Sequence, residues 1–393
     1  MRYLLLRMKR FCGFITGFVF FLSGLLKLMD PVGAGLVMDE YFRFLHIGFF
    51  SFSSKVFGTL FALAETIIGT GLITGVWRKP MGMAAVILQG FFTVLTLILV
   101  IFNPEMDCGC FGEAIHLTHG ETFVKNLVLM ALLLIYYIPR RHLGETRKKK
   151  YISFSLVCTS VMAFTVYSWI YIPLTDYTAY KPGADLQAAT TDADEMYESV
   201  FIYEKDGNQK EFTIGHLPDS TWTFVDAMTR LKEGYDDTPA NLSFRSPVSG
   251  EYADSLATEG PVMVISVYDP DMSAKSWRKT ARFMKECSEA GFKVLLLTIS
   301  EQVPQALSED FFISDYKTLI SLNRSNGGAT FFQNGELVRK WARVAYPDME
   351  ELKDIYASDT TEISILSLGG IVLSRLIKVG GQKFDDAIRV AIR

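Results

Sequence analysis

Phe91-Phe92-Thr93-Val94-Leu95-Thr96-Leu97-Ile98-Leu99-Val100-Ile101-Phe102 runs for twelve residues with no charge and only two hydroxyls. Extended back to Met81, the run reaches 22 residues. A helix of that length, rising about 1.5 Å per residue, crosses about 30 Å of hydrocarbon. Segments 11–29, 56–76, 122–138 and 152–172 have the same character. Five such runs cannot all be core helices of a soluble domain, so five membrane spans are predicted. Segment 41–52 is aromatic and apolar but too short to cross, and reads as an interfacial or re-entrant piece. No small-x-small site follows the first segment, which reads as a retained span rather than a cleaved signal peptide.

Composition supports this and splits the chain in two. Of 393 residues, 49% are apolar and only 21% charged, which argues against a wholly cytosolic two-domain enzyme. Ordinary glycine, proline and cysteine contents exclude collagen, disorder and disulfide-dense scaffolds. Residues 1–172 carry 16 Lys/Arg against nine Asp/Glu, whereas residues 173–393 carry 23 against 34. The basic residues also cluster. Twelve Lys/Arg and one acid, Glu145, lie before span 1, between spans 2 and 3, and between spans 4 and 5. The alternate loops, 30–55 and 103–121, hold two Lys/Arg and seven acids. The positive-inside rule then puts the N-terminus in the cytoplasm and the C-terminal part outside. With its basic residues at the cytoplasmic membrane face, the chain points to membrane lipid rather than nucleic acid.

Beyond the spans, residues 174–197 read as an unstructured linker containing Pro182-Gly183. Two β-rich runs flank Asp206-Gly207 as a hairpin, and 220–233 is helix-like. Strands are expected at 262–268, 292–299, 329–333 and 336–341, the last two turning at Asn334-Gly335. Helices are expected at 274–290 and 348–357, with a short one between the second strand and the hairpin. This order describes a small α/β domain over 198–358. The tail 359–393 reads as an amphipathic surface helix rather than a sixth span.

The most specific chemical feature is Asp107-Cys108-Gly109-Cys110-Phe111-Gly112. Two cysteines separated by one glycine are open to three readings: thiol–disulfide exchange, a structural turn or static disulfide, and, with His116 and His119, a metal site. One residue between the cysteines and two between the histidines fit the usual structural zinc spacing poorly. Glu65, inside span 2, is an ionisable group in hydrocarbon and needs a polar partner; it suits a buried hydrogen bond or a proton or quinone site. Lys27 and Asp30 lie three apart and can share a helix face, though Asp30-Pro31 also reads as a cap that ends the first helix. Cys12 and Cys158 read as apolar filler within spans, and Cys287 as a core residue on the apolar stripe of its helix. Trp169, Tyr171 and Trp222 read as interface or core aromatics. Arg324-Ser325-Asn326-Gly327-Gly328 reads as a glycine turn into a strand.

Ser23-Gly24-Leu25-Leu26-Lys27-Leu28-Met29-Asp30-Pro31, Glu65-Thr66-Ile67-Ile68-Gly69 and Cys108-Gly109-Cys110-Phe111-Gly112 together resemble the DoxX-like membrane proteins, especially the methylamine-utilisation MauE branch. The resemblance covers about 1–140 and implies a four-helix core, to which 141–173 adds a basic cytoplasmic loop and a fifth span. It further implies respiratory or thiol–disulfide chemistry at a bacterial inner membrane, which makes the outer side periplasmic, with quinone as the possible cofactor. The α/β domain resembles thioredoxin-like domains, but no cysteine stands at Asp269 to Lys275, where their C-x-x-C lies. Gly327-Gly328-Ala329 replaces their cis-proline. The arrangement is similar to DoxX-family proteins of Bacteroidetes that fuse both parts.

Two functions from different classes follow. One is a membrane thiol–disulfide or electron-transfer component using Cys108, Cys110 and Glu65, with Lys27 and Asp30 near a cofactor and an extracytoplasmic thiol–disulfide protein as partner. The other is a noncatalytic anchor or assembly protein whose redox-inert domain holds a client. A small-solute transporter draws on Glu65 and the glycine-rich spans alone, without paired broken helices.

Overall fold

A computed structural model describes residues 2–104, 106–138, 148–186, 197–205, 208–213, 218, 221–231, 242–307 and 311–357. Five of its helices are long and apolar enough to cross a membrane: Leu6–Met29, Gly48–Thr74, Arg78–Phe102, His119–Tyr137 and Lys150–Ile170. Each coincides with one of the five predicted runs. The corresponding α-helices are α1 (Arg2–Met29), α3 (Ser54–Thr74), α4 (Arg78–Phe102), α5 (His119–Tyr137) and α6 (Lys148–Ile170). Between the first two lies α2 (Pro31–Phe44), which the sequence reading did not anticipate. Asp30-Pro31 indeed caps, but it starts a helix as well as ending one. The Asp30 carboxylate accepts from Val32 N and Gly33 N at 3.1 and 2.9 Å, and Pro31 occupies the first turn, where no donor is needed. The aromatic segment 41–52 is no separate re-entrant piece: it is the end of α2 and a 3-10 turn, Gly48–Ser53, that leads into α3.

Small residues set the bundle's spacing. A Cβ on Gly24 would meet Thr66 Oγ1 and the Ala62 carbonyl, so α1 and α3 cross backbone to backbone. Thr66, Thr70 and Thr74 return their hydroxyls to carbonyls one turn back, which satisfies these donors within α3. A short strand, β1 (Cys110–Glu113), lies between α4 and α5. Thr118 and Glu121 form a reciprocal capping box that fixes where α5 begins.

Two sheets follow. Strands β2 (Tyr197–Lys205), β3 (Asn208–Thr213) and β4 (Thr223–Leu231) form an antiparallel sheet of order β3-β2-β4. The strand pairing expected on either side of Asp206-Gly207 is present between β2 and β3, the two turn residues themselves lying outside the described residues. The helix expected at 220–233 is instead β4: its cross-strand pairing with β2, from Tyr197↔Leu231 to Glu204↔Thr223, overrides weak local helical patterning.

The second sheet contains β5 (Pro261–Val267), β6 (Lys293–Thr298), β7 (Phe311–Ile313), β8 (Gly328–Gln333) and β9 (Glu336–Trp341), in order β7-β6-β5-β8-β9. β5, β6 and β7 are parallel, while β8 runs antiparallel to β5 and pairs with β9 through the Asn334-Gly335 turn. Helix α7 (Ala274–Glu289) links β5 to β6, α8 (Tyr316–Leu322) precedes β8, and α9 (Met349–Ala357) closes the described chain. Alternation along β5 explains the layers. Val262 and Val264 join one core with Leu319 and Phe332; Met263, Ile265 and Val267 join the other with Trp277, Phe283 and Leu352. A sheet covered on both faces was expected from these apolar runs. Cys287 is buried in the second core, which also pushes its thiol up to about 12.

The exit from α6 corrects the expectation of an unstructured linker. Tyr180, Ala184 and Leu186 are buried in the first core, Gly183 N donates to Leu337 O at 2.8 Å, and Lys340 pairs with Asp176 at 2.5 Å. Apolar side chains two to four residues apart let this proline- and glycine-containing segment lie on the sheet. The predicted amphipathic helix at 359–393 lies outside the described residues, as do 187–196.

Candidate functional site

Five helices, α1 to α5, and the Cys108–Cys110 segment line a cavity of about 470 Å³ at the end of the bundle that meets the second sheet. Its walls are largely apolar, with Phe61, Phe91, Phe92 and Leu95 among them; Ser23, Lys27, Glu65, Gln89, Asn126 and both cysteines supply the polar groups. Ionisable groups in a low-dielectric interior require partners, and these have them. Lys27 Nζ lies 2.6 Å from Glu65 Oε2, with both side chains largely buried. Ser23 Oγ donates to the Cys110 carbonyl at 2.6 Å, so its oxygen accepts from Lys27 Nζ at 3.3 Å. A chain of polar contacts therefore runs from Glu65 through Lys27 and Ser23 to the backbone of Cys110. Across the cavity, the Asn126 side-chain amide donates to Thr96 Oγ1 at 3.1 Å, and Gln89 Nε2 donates to Asn126 O at 3.1 Å.

The cysteine segment is held from both sides. Gly109 has φ +58° and lies so close to Val37 that a Cβ would overlap its Cγ1, so only glycine fits between the two cysteines. Tyr41 OH donates to Cys108 O at 2.9 Å. Both thiols are free. Cys108 Sγ lies 2.9 Å from His119 Nδ1, and His119 Nε2 lies 3.0 Å from Pro104 O. A carbonyl can only accept, so Nε2 carries the proton and Nδ1 presents its lone pair to the thiol. Burial pushes the Cys108 thiol above its ordinary range, so at neutral pH the pair holds a thiol facing a base.

Cys108, Cys110, Glu65 and Lys27, singled out from sequence, thus line one cavity. Asp30 stands apart from it. Its Oδ2 accepts from Arg324 Nε at 2.9 Å, while Arg324 Nη2 donates to Glu113 Oε1 at 3.0 Å. Burial works against the Arg324 charge, but Asp30 and Glu113 outweigh it and raise its pKa. Arg324, read from sequence as part of a turn, therefore joins the second sheet to the strand that carries Cys110. His119 was considered as a metal ligand only; the Thr118–Glu121 capping signal places it at the first turn of α5, facing Cys108. His116 pairs instead with Asp107 at 3.2 Å, and among the described residues no cluster of three or more His, Cys, Asp or Glu is arranged to hold a metal ion.

Three family models match parts of the chain. Residues 2–139 match the family described as methylamine utilisation protein MauE. Residues 197–234 match a domain of unknown function (DUF8463), and 348–393 match the family described as MreB/Mbl protein. No curated protein and no solved structure gives a match. Five apolar helices, the first four within the stretch similar to the MauE family, mark a multi-pass membrane protein whose chain continues into an α/β region.

Proposed function

We propose that this chain is an inner-membrane thiol–disulfide carrier of DoxX-like kinship, in which Cys108 and Cys110 exchange electrons with an extracytoplasmic thiol protein. The observation that carries this reading is the convergence of both cysteines and the Lys27–Glu65 pair on one apolar cavity, with the His119 base set against Cys108. In the exchange, a partner's thiolate attacks the Cys108–Cys110 disulfide and one cysteine leaves as a thiolate. A second partner thiol then resolves the mixed disulfide. Two electrons and two protons pass to the carrier, whose cysteines end as thiols. The cavity's size and its Phe61, Phe91 and Phe92 walls suit a quinone headgroup, with Lys27 as the cation facing it. Such a group, when bound, supplies a two-electron, two-proton acceptor that returns the dithiol to the disulfide. Lys27 and Glu65 hold charge and a proton beside that position.

The charge asymmetry of the loops supports a cytoplasmic N-terminus and a periplasmic sheet domain. The order β7-β6-β5-β8-β9, with β8 and β9 antiparallel to a parallel β5–β6 pair, favours a thioredoxin-like reading of that domain. It holds one cysteine, Cys287, buried in the core, so it serves as a docking platform and takes no part in exchange. That same feature supports the second reading, a noncatalytic anchor that holds a client. The two separate in a trapping experiment. A Cys110→Ala chain expressed in intact cells should accumulate a reducible mixed disulfide through Cys108; no such adduct under oxidising growth favours the anchor.

A further inference from the structure

Beside the cysteine cavity, a second cleft of about 330 Å³ opens between the ends of α3 and α6 and the β5 and β8 end of the second sheet. Its chemistry is of the opposite kind. The residues lining it include three cations, Lys55, Arg324 and Arg343, and one acid, Asp30. Asp30 is already neutralised by Arg324. Lys55 Nζ lies over the Trp169 ring at 4.7 Å and makes no ion pair among the described residues. Arg343 Nε is buried without a hydrogen-bond partner, an arrangement that is costly unless a ligand acceptor completes it. Lys55 and Arg343 thus face a polar cleft whose one lining acid, Asp30, is already engaged by Arg324.

The cleft also lies at a particular depth. Trp169 and Tyr171 stand at the end of α6 as aromatic belt residues do, and Trp169 Nε1 donates to Thr59 Oγ1 on α3 at 3.0 Å. Val56, Leu60 and Val166 are exposed on the same two helices, along which acyl chains would run. A basic pocket between helices at this level suits a phosphate group.

We propose that this cleft binds a phosphate, held by Lys55 and Arg343, with an anionic phospholipid headgroup and free phosphate as its two possible sources. The site is independent of the thiol chemistry. The test is native mass spectrometry of the detergent-solubilised full chain with phosphatidylglycerol, phosphatidylcholine of the same acyl chains, and inorganic phosphate. The expected result is retention of phosphatidylglycerol over phosphatidylcholine, weakened about five-fold by Arg343→Gln and about thirty-fold by Lys55→Gln with Arg343→Gln. Displacement by inorganic phosphate would assign the site to the free anion, and resistance to it would assign the site to the headgroup; both support the phosphate pocket. The charge-keeping Lys55→Arg and Arg343→Lys chain must retain binding, which guards against simple misfolding. Equal retention of both lipids with no phosphate binding, or binding untouched by the Gln substitutions, would overturn the proposal.

Discussion

At the scale of single residues, the proposed chemistry turns on the Cys108–His119 contact. Since Pro104 fixes the His119 tautomer, Nδ1 is positioned to take the Cys108 proton as the sulfur becomes nucleophilic. Burial raises the Cys108 pKa from an ordinary value of 9.0, so thiolate is scarce at neutral pH and increases as pH rises through the elevated value. Maleimide labelling of Cys108, followed in a chain with Cys110→Ala, should therefore keep accelerating above pH 9. Replacing His119 by Gln should slow labelling at pH 7 by about a hundredfold. Equal rates in the two chains would show that the histidine is a structural neighbour only. Of this pair, the sequence displayed Cys108 but not its base: eleven residues separate them, and only the chain's return from α4 into α5 brings them together.

At the scale of elements, the Lys27–Glu65 pair links α1 to α3. A buried ion pair adds little net stability, because desolvation offsets the attraction, but removing one partner strands the other charge. Lys27→Met should destabilise the bundle by about 3–5 kcal/mol, and Lys27→Met with Glu65→Leu should recover most of that. Unfolding in mixed detergent measures both. A double variant as unstable as the single would show that the pair does more than satisfy itself. Elements were legible from sequence where one period dominated, as in the five apolar helices and the β8–β9 hairpin. α2 was not, because Pro31 ends one helix and begins the next at the same place. β4 was misread because nine residues with mixed patterning become a strand only through their pairing with β2. The burial of Tyr180 and Leu186 was equally hidden, since their partners lie some 150 residues ahead in the strands around Leu337.

At the scale of the whole molecule, Arg324 joins the two parts. Its guanidinium bridges Asp30, at the α1–α2 junction, and Glu113, three residues beyond Cys110, so the sheet's placement and the cysteine strand are mechanically linked. The sheet domain thereby contacts the cysteine strand without lining the cavity, and under the proposed function the chemistry rests on two sulfurs in the bundle. The most direct test of this account is the redox state of Cys108 and Cys110 in intact cells, fixed by rapid acid quenching and resolved by mass-tagged alkylation. The account predicts a mixture of dithiol and disulfide that shifts toward dithiol when respiration is blocked and back when it resumes. A pair that stays wholly oxidised or wholly reduced through that cycle would contradict it.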